Sequence, residues 1–228
     1  MDPTLILLMI AGFLIPIGAQ FWLMNQFRRY SQVASAAGLT GAQVARTILD
    51  AQGLQSVKVE SVPGSLSDHY DPQAKAVRLS EPIYNYPSLA ALAVAAHEVG
   101  HAIQDKQGYA WLRVRHSMIP ATNIGTTVGP ILFLIGFFMG QMGLAWLGIW
   151  LFAAVALFQL VTLPVEFNAS ARALQILRSG NFLAQREMSG AEKVLTAAAL
   201  TYVAALATTV TTILQYDIML TGAQRSEE

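Results

Sequence analysis

The chain has 228 residues, of which 54% are hydrophobic and 12% charged, and its mean hydropathy is +0.45. This composition lies far from that of an average soluble domain and points to a membrane protein. Lys plus Arg equals Asp plus Glu at 14 each, so global charge gives no argument for a nucleic-acid partner, and the absence of cysteine excludes disulfides, thiolate zinc ligands and a cysteine nucleophile.

In chain order, the first predicted element is an apolar helix from about Thr4 to Met24. Only Asp2 is charged before it and no clear small-residue cleavage site follows, so it reads as an anchor rather than a removed signal peptide. Arg28 and Arg29 follow immediately. Residues 31–39 read as a linker, and Thr40-Gly41-Ala42-Gln43 opens a short helix carrying Val44, Ile48 and Leu49, closed near Gly53. "SVKVESV" alternates as a strand does, and "SLSDHY" and "KAVRLS" flank the turn Asp71-Pro72-Gln73-Ala74, giving a second pair of short strands. An edge strand in this region could take a peptide by backbone hydrogen bonding.

Ser88 is placed to cap the next helix, Leu89 to Gln104, which carries "HEVGH". A four-residue step turns a helix by roughly 400°, so His97 and His101 project from one face about a turn apart. In H-E-x-x-H the two histidines bind zinc and Glu98 serves as general base toward water. Gly100 costs about 1 kcal/mol relative to Ala in a helix; close packing of another element against the site would explain it.

Two further apolar helices, about Met118 to Gly140 and Gly143 to Leu163, are separated by a short Gly-Gln-Met-Gly turn and form an antiparallel hairpin. "LPVEFNASARALQILRSG" follows, with Pro164 suited to the start or kink of a helix and Glu166 on its first turn. Catalytic zinc usually has three protein ligands and an open position. Glu166 is the best-placed third ligand; His116 is a weaker one, at a span boundary beside Arg113 and Arg115. Asn168 and Ser170 are candidates for hydrogen bonding to the ligands, and Arg172 is as well suited to anchoring lipid phosphates. The last helix, about Val194 to Tyr216, is Ala- and Thr-rich and reads as a fourth span preceded by a capping box at Ser189-Gly190-Ala191-Glu192.

No basic residue precedes Arg28 or lies between Arg115 and Arg172, so the positive-inside rule puts both basic regions in the cytoplasm and both termini outside. The expected division is an anchor over 1–27, an α+β region with the zinc helix over 28–116, a hairpin over 117–164, a helix with the third ligand over 165–193, and a fourth helix with a short tail over 194–228.

"PGSLSDHYDP", "AVAAHEVGHAIQ", "LPVEFNASARAL" and "KVLTAAALTYVAAL" together resemble the bacterial neutral zinc metallopeptidases of the YugP type, an integral-membrane group. The resemblance covers about Arg29 to Leu206. It implies a gluzincin-like site with His97, His101 and Glu166 on zinc and Glu98 as catalytic base. A more distant likeness is to HtpX and the CAAX-processing protease, whose third-ligand motif runs E-F-x-A-D. Ser170 stands here where that motif has Asp, so a histidine-orienting carboxylate would come from elsewhere, with Asp68 and Asp71 as candidates.

The fold expected is therefore mainly α: a polytopic membrane protein with about four transmembrane helices and a small α+β, gluzincin-like zinc peptidase region. The function expected is a membrane-embedded zinc endopeptidase of the bacterial inner or plasma membrane with its site at the cytoplasmic face. Its partners would be a peptide or membrane-protein substrate and the lipid bilayer, with a regulatory membrane partner and the oligomeric state left open. His69, Tyr70, Tyr202 and Arg172 are all chemically able to contact substrate or the transition state. The alternative is a noncatalytic membrane module binding metal or partner proteins. A zinc transporter is disfavoured because no span before Glu166 holds an internal ionisable residue.

Overall fold

The computed structural model describes residues 2–227, with side chains described up to residue 222. Seven helices and three strands follow in the order α1 (Pro3–Ser31), α2 (Gly41–Ala51), β1 (Lys58–Val62), β2 (His69–Asp71), β3 (Ala76–Ser80), α3 (Glu81–Asn85), α4 (Leu89–Lys106), α5 (Ala110–Phe138), α6 (Met142–Ser179) and α7 (Met188–Glu227). Four of them, α1, α5, α6 and α7, are long and apolar enough to cross a bilayer. The protein is a mainly α membrane protein with a small α+β region.

The chain divides into two compact units, one drawn from Met1–Gln20, Arg113–Pro164 and Leu200–Glu228, the other from Phe21–Leu112 and Val165–Ala199. In the first, α5 and α6 are joined by a tight turn in which Gly140 takes a positive φ of 66°, and the hairpin expected from the sequence is present. A Cβ on Gly148 would fall on the backbone of Phe133, and one on Gly136 on the backbone of Ala145. Small residues thus let the two backbones touch, which is how helices associate where lipid removes the hydrophobic driving force. Phe133 also stacks on Tyr216 of α7, with ring centroids 3.9 Å apart.

The second unit carries the polar grammar. Thr40 and Gln43 form the expected capping box of α2. The sheet has the order β1-β3-β2, with β1 parallel and β2 antiparallel to β3. Among the described residues, the outer edge of β2 therefore has no strand partner. Val44, Ile48 and Leu49 of α2, Val77 and Leu79 of β3 and the alanine-rich face of α4 are completely or almost completely buried and form one core. The segment read as a linker is tied down: Ala34 bridges Ser88, and Ser35 N–H donates to Pro87 O at 2.8 Å.

Three details differ from the sequence reading. The stretch before Pro87 contains the short helix α3, started by Pro82 in its first turn. Pro164 neither starts nor ends a helix, because α6 runs through it unbroken, so Glu166 lies in the interior of a 38-residue helix rather than on a first turn. α7 begins at Met188, so Ser189 lies inside it, and the turn ahead of it is held by the Glu187 carboxylate, which accepts from Ala184 N and Ala36 N, both at 2.8 Å.

Candidate metal centre

α4 starts where Ser88 Oγ accepts from Ala91 N, and apart from the part-buried Val94 its first two turns are buried alanines and leucines. That face anchors the helix, so His97, Glu98 and His101 are held by packing on the preceding residues. Glu98 and His101 are both 8% exposed. The facing element is α6. A Cβ on Gly100 would lie 2.9 Å from the carbonyl oxygen of Ala169, so the glycine between the two histidines admits the backbone of α6 where a side chain would bar it. This contact brings Glu166 to the histidines.

Three atoms converge. His97 Nε2 and His101 Nε2 are 3.2 Å apart, and Glu166 Oε2 lies 3.3 Å from the first and 3.6 Å from the second. Four tetrahedral ligands at zinc's usual bond lengths of about 2.0–2.1 Å are separated by about 3.3 Å. The three edges thus match one face of a zinc tetrahedron, leaving a fourth corner. Among the described residues, His97, His101 and Glu166 form the group of histidine and acidic side chains able to hold a metal ion. Burial works against charge on His101, yet its hydrogen bond to Glu166 and that carboxylate's charge raise its proton affinity overall. A metal ion would satisfy the same demand for positive charge.

The remaining ring nitrogens face neutral partners. His101 Nδ1 is 2.9 Å from Gln104 Oε1, and His97 Nδ1 is 3.1 Å from Ser170 Oγ. Gln104 went unnoticed in the sequence, although its place three residues after His101 was a usable signal, since i and i+3 share a helix face. Asn168 does not reach a histidine; its Oδ1 accepts from Gln104 Nε2 at 3.0 Å and from Arg172 Nε at 2.7 Å. Asp68 and Asp71 serve the β2 loop instead. Asp68 accepts from Ser80 N and Oγ at 2.7 and 3.0 Å, while Asp71 takes the backbone of Gln73 and Ala74 and the Arg78 guanidinium.

Burial pushes the Glu98 carboxyl above the ordinary carboxylate range, against the opposing pull of His97 and His101. A higher proton affinity is what a group accepting a proton from water requires. The remaining candidates lie on other elements. His69 is exposed on β2, its Nδ1 2.8 Å from Ser67 O. The Tyr70 hydroxyl donates to Asp105 Oδ2 at 2.7 Å, and burial together with that carboxylate raises its pKa. Tyr202 lies on α7 in the other unit, and His116 on α5 in that same unit.

From residue 5 to residue 221 the chain matches the family described as "Putative neutral zinc metallopeptidase". The chain belongs to this zinc metallopeptidase family. It is also 52% identical over 200 residues to the protein named "Putative membrane protease YugP" of Bacillus subtilis (strain 168), a match spanning 88% of this chain and 89% of that relative. No solved structure matches the chain. For a member of a zinc metallopeptidase family, zinc is the metal implied, and the donor set of two imidazoles and a carboxylate suits it.

Proposed function

We propose that this metallopeptidase is a membrane-embedded zinc endopeptidase that hydrolyses peptide bonds of membrane or juxtamembrane proteins. The observation that carries this reading is the convergence of His97, His101 and Glu166 at tetrahedral spacing, with the buried Glu98 adjacent in α4. His97, His101 and Glu166 would hold the metal in a gluzincin-like arrangement. When bound, zinc supplies a Lewis acid that brings the pKa of a ligated water down to about 7 and polarises a carbonyl. Glu98 takes the proton from the attacking water on one of its carboxylate oxygens and then delivers it to the departing amine nitrogen as the C–N bond breaks. Its raised proton affinity serves both transfers. A noncatalytic metal site would gain nothing obvious from such a base.

The outer edge of β2, unpaired with any strand among the described residues, supports peptide binding by main-chain hydrogen bonds, which is independent of side-chain sequence. His69 sits on that edge and is the most accessible of the side chains proposed to contact substrate. The Tyr70 hydroxyl is engaged by Asp105 and acts through it, whereas Arg172 commits its Nε to Asn168. The four apolar helices support substrates held in or beside the membrane. Thirteen of the fourteen basic residues lie in 28–115 or 172–193, the pattern of cytoplasmic segments, and this supports a site at the cytoplasmic face.

The reading is tested by removing the metal. Purified protein in detergent, incubated with a panel of membrane-protein substrates, is expected to cleave at least one. Cleavage should stop after dialysis against a chelator and return on adding one equivalent of Zn²⁺. Cleavage that survives complete zinc removal would overturn the metal-dependent mechanism.

A further inference from the structure

Gln104 is the fully buried polar side chain at the end of the motif helix, with 0% exposure, and each of its amide atoms has a defined partner. Nε2 donates to Val165 O at 2.8 Å and to Asn168 Oδ1 at 3.0 Å. Both partners are acceptors, so the two amide hydrogens are committed there, and flipping the amide would set its oxygen against two other oxygens. Arg172 Nε reinforces the arrangement by donating to the same Asn168 oxygen. Gln104 Oε1 is then fixed toward His101 Nδ1 at 2.9 Å. An amide oxygen can only accept, so Nδ1 must carry the hydrogen, and in the neutral imidazole Nε2 is left with the lone pair that faces His97 and Glu166.

We infer that Gln104 is a positioning residue of the metal centre: its amide selects the His101 tautomer that presents Nε2 to the metal and ties α4 to α6 one residue before Glu166. This rests on the reading of His97, His101 and Glu166 as ligands. The two tasks are coupled through one side chain, since the donors that grip α6 are what orient the acceptor toward His101. Where a carboxylate orients a metal-bound histidine it adds negative charge; here an amide performs that task on His101 and the Ser170 hydroxyl is its counterpart on His97.

The chain holds four histidines, few enough to assign by single substitution. In the metal-free protein labelled with ¹⁵N-histidine, at a pH where the imidazoles are neutral, His101 is expected to show a protonated Nδ1 and an unprotonated Nε2. In Gln104→Leu the two tautomers should mix, and zinc affinity measured by chelator competition should fall about 10–100-fold, the usual effect of losing a ligand's hydrogen-bond partner. Gln104→Glu keeps an acceptor for Nδ1 but loses both hydrogen bonds donated to α6; it should keep the tautomer and still lose affinity. A parent His101 protonated on Nε2, or a Gln104→Leu variant with the parent's zinc affinity, would overturn the inference. A parent with the expected tautomer that binds no zinc would instead overturn the ligand reading beneath it. The tautomer of the parent does not depend on either Gln104 variant folding.

Discussion

Replacing Glu166 by Ala should abolish stoichiometric zinc binding. Removing a partner of a ligand typically costs 10–100-fold in metal affinity, and Glu166 is proposed as a ligand itself, so the loss should exceed about 100-fold. The carboxylate is 3% exposed and its Oε2 lies within 3.6 Å of both histidine Nε2 atoms. Glu166→Gln is the more demanding variant, because it preserves volume and one oxygen while removing the charge that offsets the metal. It should bind zinc more weakly than the parent, though better than Glu166→Ala. The measurement is zinc per chain after equilibration with a chelator of known affinity. Parent-like zinc retention in Glu166→Ala would mean that another group completes the site.

Gly100→Ala sets two effects of opposite sign against each other. Helix propensity alone favours Ala in a helix interior by about 1 kcal/mol, so a glycine without a packing role would be improved by the change. At this position the added Cβ would stand 2.9 Å from Ala169 O and 3.3 Å from Ala169 Cα. Both contacts are to backbone, which cannot swing aside as a flexible side chain can. Overpacking of this kind typically costs 1–3 kcal/mol, so the clash should win and the protein should be destabilised. The displaced segment lies between Glu166 and Ser170, the proposed third ligand and the group facing His97 Nδ1. Zinc affinity should therefore fall together with thermal stability. A more stable Gly100→Ala protein with unchanged zinc affinity would show that α6 yields at no cost.

Much of this arrangement was legible in the residues. Four runs of apolar side chains marked the four long helices, because a bilayer imposes length and composition directly on the sequence. The i, i+4 histidines lie on one helix and need only its periodicity to be brought together. Glu166 was singled out as a carboxylate just beyond an apolar span, costly to bury without a positive partner, and the structure places it against both histidines. Its setting was less legible. Proline suggested the start or a kink of a helix; it is not a start, because α6 continues through Pro164, as membrane helices can when neighbouring groups satisfy the freed carbonyl.

The groups around the histidines were harder still to read. Ser170 and Asn168 were noticed for their nearness to Glu166, whereas Gln104 owes its position to Val165 and Asn168, 61 and 64 residues away in sequence. An amide carries no charge to betray a role, and a polar residue near a helix end ordinarily reads as solvent-facing. Asp68 and Asp71 drew attention because they are charged. They hold the β2 loop through Ser80 and Arg78, an ordinary use of aspartate in turns.

The most direct test of the proposed mechanism is a comparison of the purified protein with Glu98→Gln, in detergent, for zinc content and for cleavage of a membrane-protein substrate panel. Glu98 is not a proposed ligand, and glutamine keeps its volume while losing the ability to accept a proton. Both proteins should hold one zinc per chain and only the parent should cleave, with the variant's rate down by at least about 100-fold, the lower end of what general acid–base catalysis contributes. Equal cleavage by both would contradict the assignment of Glu98 as the base.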